Sequence, residues 1–248
     1  MPLALFRRKA PDPMHIEVVR DARRHRVTLR RRAAARRLTL RVSATTGEVV
    51  LTLPQRTSLA AAQAFADAHG GWIEARLARV PERVALVPGA MIPLRGVPHT
   101  IVHDVRRPGR PTHIGEGPDG APTIVVAGPT ADPARLVRAF LRREAGADLT
   151  ASVRRYAARL AVAPTRITLR DTISRWGSCS AAGALNFSWR LVLAPPPVLD
   201  YLAAHEVAHL REMNHSPRFW RLLREICPAT DEAEAWLKRH GTELHRYG

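Results

Sequence analysis

Residues 205–220 read His205-Glu206-Val207-Ala208-His209-Leu210-Arg211-Glu212-Met213-Asn214-His215-Ser216-Pro217-Arg218-Phe219-Trp220. The first five form an H-E-x-x-H pattern, and on a helix residues four apart share a face, so both imidazoles can reach one metal ion. Zn²⁺ accepts imidazole nitrogen at about 2.0–2.1 Å, and three protein ligands leave its fourth position open to water. Glu206 follows the first histidine and projects toward that water, which makes it the candidate general base. His215 lies six residues beyond His209. Asn214 tolerates a left-handed backbone, which would turn the chain and swing His215 back toward the metal. The competing reading is a helix whose histidines are solvated or satisfied in the core, and the placement of the third histidine argues against it. The metzincin spacing is met, but Glu212 stands at its glycine position and no methionine follows Met213.

Upstream of the motif, Pro195-Pro196-Pro197 starts the metal-binding helix, expected from Val198 to about Met213. Ser216-Pro217 is an N-cap and first-turn signature for a helix to Ile226, and Thr230-Asp231-Glu232 starts a last helix ending near Gly241. Asp231, Glu232 and Glu234 read first as helix-dipole residues. Upstream, Arg166–Arg170 reads as a strand. Ser174–Ser180 and Leu185–Leu193 read as a hairpin turning at Ala181-Ala182-Gly183. A helix spans about Pro133 to Ala161, with an interruption expected near Gly146. Residues 86–127 return short strands, with an exposed loop from Arg106 to Pro122. Residues 14–54 alternate in the strand manner, and Thr57-Ser58 cap an Ala-rich helix that Gly70-Gly71 would divide in two. No internal repeat is legible. The change from strand to helix character puts a domain boundary at 132/133: a β-rich basic region, 1–132, then a catalytic module, 133–248.

Composition is that of an ordinary globular chain, with 46 % hydrophobic and 25 % charged residues. The net charge of +17 is almost all arginine, and residues 1–45 hold 13 Lys+Arg against 3 Asp+Glu. That cluster is either a solvated strand face or a surface for anions, with weak nucleic-acid contact among the expectations. The strands carry no interleaved aromatics for base stacking. Cys179 and Cys227 make no disulfide framework, which fits a reducing compartment. The apolar run before Arg7 is far shorter than a signal-peptide core, and no segment has the length of a membrane span. The expectation is a cytoplasmic protein without membrane contact.

Arg175-Trp176-Gly177-Ser178-Cys179-Ser180, Asn186-Phe187-Ser188-Trp189-Arg190-Leu191 and the 205–220 stretch together resemble the YgjP/SprT-like zinc metallopeptidase family. The upstream basic strands, the Trp72-Ile73 helix and the 89–102 segment also look like that family's N-terminal region. The resemblance implies an α+β fold with a compact zincin-like module: a small antiparallel sheet, the active-site helix and C-terminal helices. It implies His205, His209 and His215 as zinc ligands and Glu206 as base. Arg175 and Asn186 are candidate substrate or transition-state contacts, although Arg175 packing on a tryptophan is an equal reading. Trp176 and Trp189 read as core, and Cys179 as a small buried residue. The expected substrate is a peptide or protein. Two alternatives stay open: a nucleotide pyrophosphatase using the same site, and a nucleic-acid-associated protease targeted by the basic region.

Overall fold

The computed structural model describes residues 14–106 and 109–248, so the apolar run before Arg7 lies outside the described residues. The fold is mixed α+β, and the chain forms two compact units, 1–81 and 82–248.

In the first unit, β1 (His15–Arg20) and β2 (Arg23–Arg31) pair antiparallel, followed by β3 (Thr39–Val42) and β4 (Val49–Leu53). The sheet order is β1-β2-β4-β3, with β2 and β4 parallel. Strand alternation sends Val18, Val27, Val49, Leu51 and Leu53 into one core with Ala62, Ala66 and Ile73 of the helices α1 (Leu59–Ala68) and α2 (Gly70–Leu77). Ser58 caps α1 by accepting from the Ala61 N–H, and the chain breaks before Gly70 as its two glycines suggest. The same alternation turns Arg24, Arg26 and Arg30 of β2 and Arg41 of β3 to the opposite, exposed face.

The second unit opens with β5 (Met91–Leu94), β6 (Val97–Asp104), β7 (His113–Glu116) and β8 (Pro122–Ala127), in the order β5-β6-β8-β7. β7 falls inside the segment expected to be a loop: an edge strand of four residues with Gly115 against Val125 has little hydrophobic signature. Next comes α3 (Pro133–Leu160), capped by Asp132, which accepts from the Arg135 N–H. It runs through Gly146 without a break, because Val137, Phe140, Leu141, Ala145, Leu149, Val153 and Tyr156 bury one continuous stripe. Ile92, Leu94, Ile101, Ile124 and Val126 of the preceding strands share that core. The boundary expected at 132/133 therefore falls inside this unit, where sheet and helix bury each other's apolar faces.

The remaining elements are β9 (Arg166–Arg170), β10 (Gly177–Cys179), β11 (Ala184–Ser188), a 3-10 turn (Trp189–Leu193), α4 (Pro196–Ala208), α5 (Pro217–Ile226) and α6 (Thr230–Leu244). The small sheet has the order β10-β11-β9 and is mixed rather than antiparallel, since β9 runs parallel to β11. Gly241 lies inside α6 instead of ending it, packed close against Trp176: a Cβ there would sit 3.2 Å from the ring. Among the described residues no helix is long and apolar enough to cross a membrane.

The two four-stranded sheets follow one plan. Each has its first pair antiparallel, its middle pair parallel and its last pair antiparallel, and each is followed by an N-capped helix. Each first hairpin also turns on two consecutive positive-φ residues: Asp21 (44°) and Ala22 (62°), then Arg95 (52°) and Gly96 (77°). That pair of left-handed residues matches the twist of a two-residue hairpin.

Candidate metal centre

Pro196 opens α4 at a position where a missing N–H costs nothing. Val198, Ala203, Ala204, Val207 and Ala208 then anchor it in the core, which fixes the direction in which His205 and Glu206 project. The helix ends at Ala208, short of the expected Met213, and His209 is its C-cap residue in a helical conformation. The chain does turn at Asn214, but not through a left-handed residue. Asn214 is not among the positive-φ positions, and the Ser216 N–H closes on the Asn214 carbonyl at 2.7 Å, a three-residue turn centred on His215. Ser216 then caps α5 by accepting from the Phe219 N–H at 3.3 Å.

The result is convergence. His215 Nε2 lies 3.0 Å from His205 Nε2 and 3.2 Å from His209 Nε2. Metal–nitrogen bonds of 2.0–2.1 Å at tetrahedral angles put ligand nitrogens about 3.3 Å apart, so the spacing fits one ion. The far nitrogens are held as well. His209 Nδ1–H donates to the Glu212 carbonyl at 3.1 Å, and His205 Nδ1 faces the Tyr201 hydroxyl one turn back at 3.5 Å. Assigned this way, both rings turn an Nε2 lone pair toward the shared point. Burial first, then the neighbouring imidazoles, push His205 down to about 3, and burial also lowers His209. Neutral rings are what a cation requires. Phe219 stacks on His209 (centroids 4.5 Å, 24°) and Trp220 on His215 (5.8 Å, 29°), so two side chains of α5 pack on the cluster.

Glu206 is 4 % exposed, and its Oε2 has no hydrogen-bond partner among the described residues. Burial pushes its carboxyl up to about 8, against the opposing pull of the Arg175 charge. Space for this carboxyl exists only because residue 177 is glycine: a Cβ there would lie 2.4 Å from Glu206 Oε1 and 2.8 Å from Cγ. Sequence alone does not assign Gly177 this role. Its one signal was a glycine inside a strand pattern, which marks a close approach.

Arg175 is exposed and, among the described residues, stacks on no tryptophan, so the packing alternative is not what forms. Asn186 sits on β11, where its amide donates to Ser178 Oγ and its carbonyl accepts from Arg170 Nε, each at 3.4 Å. Among the described residues, neither of these hydrogen bonds reaches the three histidines. Cys179 is half-buried and stands outside the convergent set. Trp176 is partly core but also lines a cleft of about 320 Å³ with Gly177, Leu202, His205, Glu206 and Leu237. Its ring packs on His245, which the sequence left unplaced. A larger cavity of about 610 Å³ lies away from the histidines. Its charges are already paired: Arg95 donates to Asp148 and Glu144, and Asp200 accepts from Ser152, Arg155 and Tyr156. The smaller cleft is the one that His205 and Glu206 line.

The family model described as YgjP-like, metallopeptidase domain matches residues 36–240. The chain belongs to this family. As a YgjP-like metallopeptidase domain it is of the metal-dependent peptidase class, and both compact units contribute to the matched region. Comparison with curated proteins gave no match, and neither did comparison with solved structures.

Proposed function

We propose that the protein is a zinc-dependent peptidase in which His205, His209 and His215 hold the metal and Glu206 is the general base. The observation that carries this reading is the buried, unpartnered Glu206 Oε2 beside three converging imidazole nitrogens. A three-histidine donor set favours zinc over harder cations, which prefer oxygen. When bound, zinc lowers the pKa of water toward neutrality and polarises a carbonyl. Glu206 takes the proton of the attacking water on its carboxylate and gives it to the leaving amine. Burial of its oxygens keeps bulk water from competing for that proton, and Gly177 holds open the volume that it occupies.

A peptide substrate is supported by β10, the edge of its sheet. The Ser188 N–H bonds the Trp176 carbonyl at 2.8 Å and the Ser180 N–H the Ala184 carbonyl at 3.0 Å. By alternation, the peptide groups of Gly177 and Cys179 face away from β11, where an extended chain can add as a further strand. A phosphoanhydride substrate is favoured by a different observation. Arg175 has no carboxylate partner among the described residues, and its charge acts on Glu206, a disposition suited to phosphate oxygens.

The deciding experiment is metal analysis of the purified protein with parallel peptide and nucleoside triphosphate assays on wild type and Glu206→Gln. The reading expects one zinc per chain, peptide hydrolysis, and loss of hydrolysis with metal retained in the variant. Triphosphate turnover without proteolysis would replace the substrate class. Full activity in Glu206→Gln would refute the mechanism.

A further inference from the structure

A second groove adjoins the cleft beside Glu206 on the α5 side. Glu234 lines both that cleft and this groove of about 560 Å³, which Pro217, Trp220, Arg221 and Arg224 complete. Trp220, stacked on His215, joins this groove to the metal centre.

The charges in the groove divide into spent and unspent. Arg224 is held by both oxygens of Asp231 at 3.0–3.2 Å and lies over the Trp220 ring, 5.7 Å from its centroid. Glu234 is held by Lys238 at 2.8 Å. Arg221 is exposed and, among the described residues, makes no ion pair or hydrogen bond. One uncompensated cation therefore stands beside an aromatic floor on the α5 side of the centre. The cleft itself is walled by Trp176, Leu202 and Leu237, and its charged groups are Glu206, the proposed base, and the paired Glu234 and Lys238. A groove walled this way discriminates by the charge of what enters it, because a like charge is repelled and a neutral group leaves the cation unmatched.

We propose that Arg221 makes the α5 side an anion-selecting subsite, so that substrates carry a carboxylate or phosphate there and an apolar group on the Trp176 side. The proposal rests on the hydrolase reading of the same centre but not on which bond is cut. A peptide supplies the anion as an acidic side chain. A nucleotide supplies it as a phosphate.

The test uses full-length, zinc-loaded Glu206→Gln protein, so that ligands bind without turnover, and fluorescence anisotropy of labelled probes. One arm is a set of matched peptides with Glu, Gln or Lys moved along the sequence; the other is a nucleoside triphosphate and its nucleoside. Both are repeated with Arg221→Gln and Arg221→Glu, whose folding circular dichroism checks. The expected result is that Glu at one position binds about tenfold tighter than Gln. That preference disappears in Arg221→Gln and inverts toward Lys in Arg221→Glu. If only the triphosphate binds, and loses affinity in both variants, the subsite stands and the peptide reading falls. Equal binding of Glu, Gln and Lys peptides, with triphosphate binding also insensitive to Arg221, overturns the proposal, and peptide cleavage by wild type would then leave the peptidase reading intact.

Discussion

Alanine at position 177 would place one methyl carbon 2.4 Å from Glu206 Oε1, 2.8 Å from Cγ and 2.9 Å from Cδ. Three approaches under 3.0 Å cannot be relieved by rotating the carboxylate alone, since Cγ is among them, and the whole buried side chain must shift. Overpacking of this kind costs about 1–3 kcal/mol. Gly177 is not a positive-φ position, so alanine fits the backbone, and restricting the unfolded chain returns about 0.4–1 kcal/mol. Gly177→Ala should therefore destabilise the protein by up to about 2.6 kcal/mol. In a Glu206→Ala background the obstructing atoms are gone, and the same substitution should become neutral or mildly stabilising. Chemical denaturation of the four proteins gives the coupling, expected at about 1–3 kcal/mol. Zinc content should be unchanged in Gly177→Ala while kcat falls at least about tenfold, because a base displaced by an ångström no longer meets its proton. A coupling below about 0.5 kcal/mol, within ordinary additivity error, would refute the claim that Gly177 exists to seat Glu206.

Metal-free protein should show a pH dependence whose sign follows from burial. Glu206, raised from 4.5 to about 8, contributes stability below 4.5 that is lost as pH climbs to 8, while His205, lowered from 6.5 to about 3, loses its contribution as pH falls below 6.5. The two slopes oppose one another between 4.5 and 6.5, and above 6.5 only Glu206 acts, for a fall of about 2 kcal/mol by pH 8. A flat profile in Glu206→Gln over that window, beside a sloping wild type, is the expected denaturation result. Zinc at a thousandfold excess over Kd should stabilise by about 4 kcal/mol, and a chelator should reverse the gain in a thermal melt. Tyr201→Phe removes a contact to His205 Nδ1 that is already long at 3.5 Å. It should weaken zinc about tenfold, at the low end for outer partners of a ligand, as read by competition with a chromogenic chelator. The exposed Arg24, Arg26, Arg30 and Arg41 face should give duplex DNA binding that vanishes between 50 and 200 mM salt; binding insensitive to salt would exclude a phosphate-neutralising role.

Helical elements with polar caps were legible because their signals are local. Ser58, Asp132 and Ser216 each satisfy an N–H within three residues, and the H-E-x-x-H spacing needs only one turn of helix. What escaped depends on partners distant in the chain. Gly241 reads as a helix stop until the Trp176 ring is seen against it, and Gly146 reads as a break until the core stripe on α3 is seen to continue past it. β7 needs β8 to be a strand at all. The common plan of the two sheets is carried by backbone sign and pairing, and its hairpins use Asp-Ala in one and Arg-Gly in the other, so no residue pattern repeats. Gly177 gives only a weak signal in the sequence, because a residue without a side chain acts only through the space it leaves.

The brevity of β10 has a consequence for solubility. An open strand is a template for any other chain, and long ones recruit further copies into aggregates. Here the open stretch is three residues, Gly177 to Cys179, lying beside a half-buried tryptophan and a buried acid. Two outward peptide groups suffice to align a short extended segment yet fall well short of the six or seven residues that stacked fibrils require. On the proposed peptidase reading, β10 offers a substrate an edge too short to recruit further copies, and a peptide held by so few backbone bonds would leave quickly once cut.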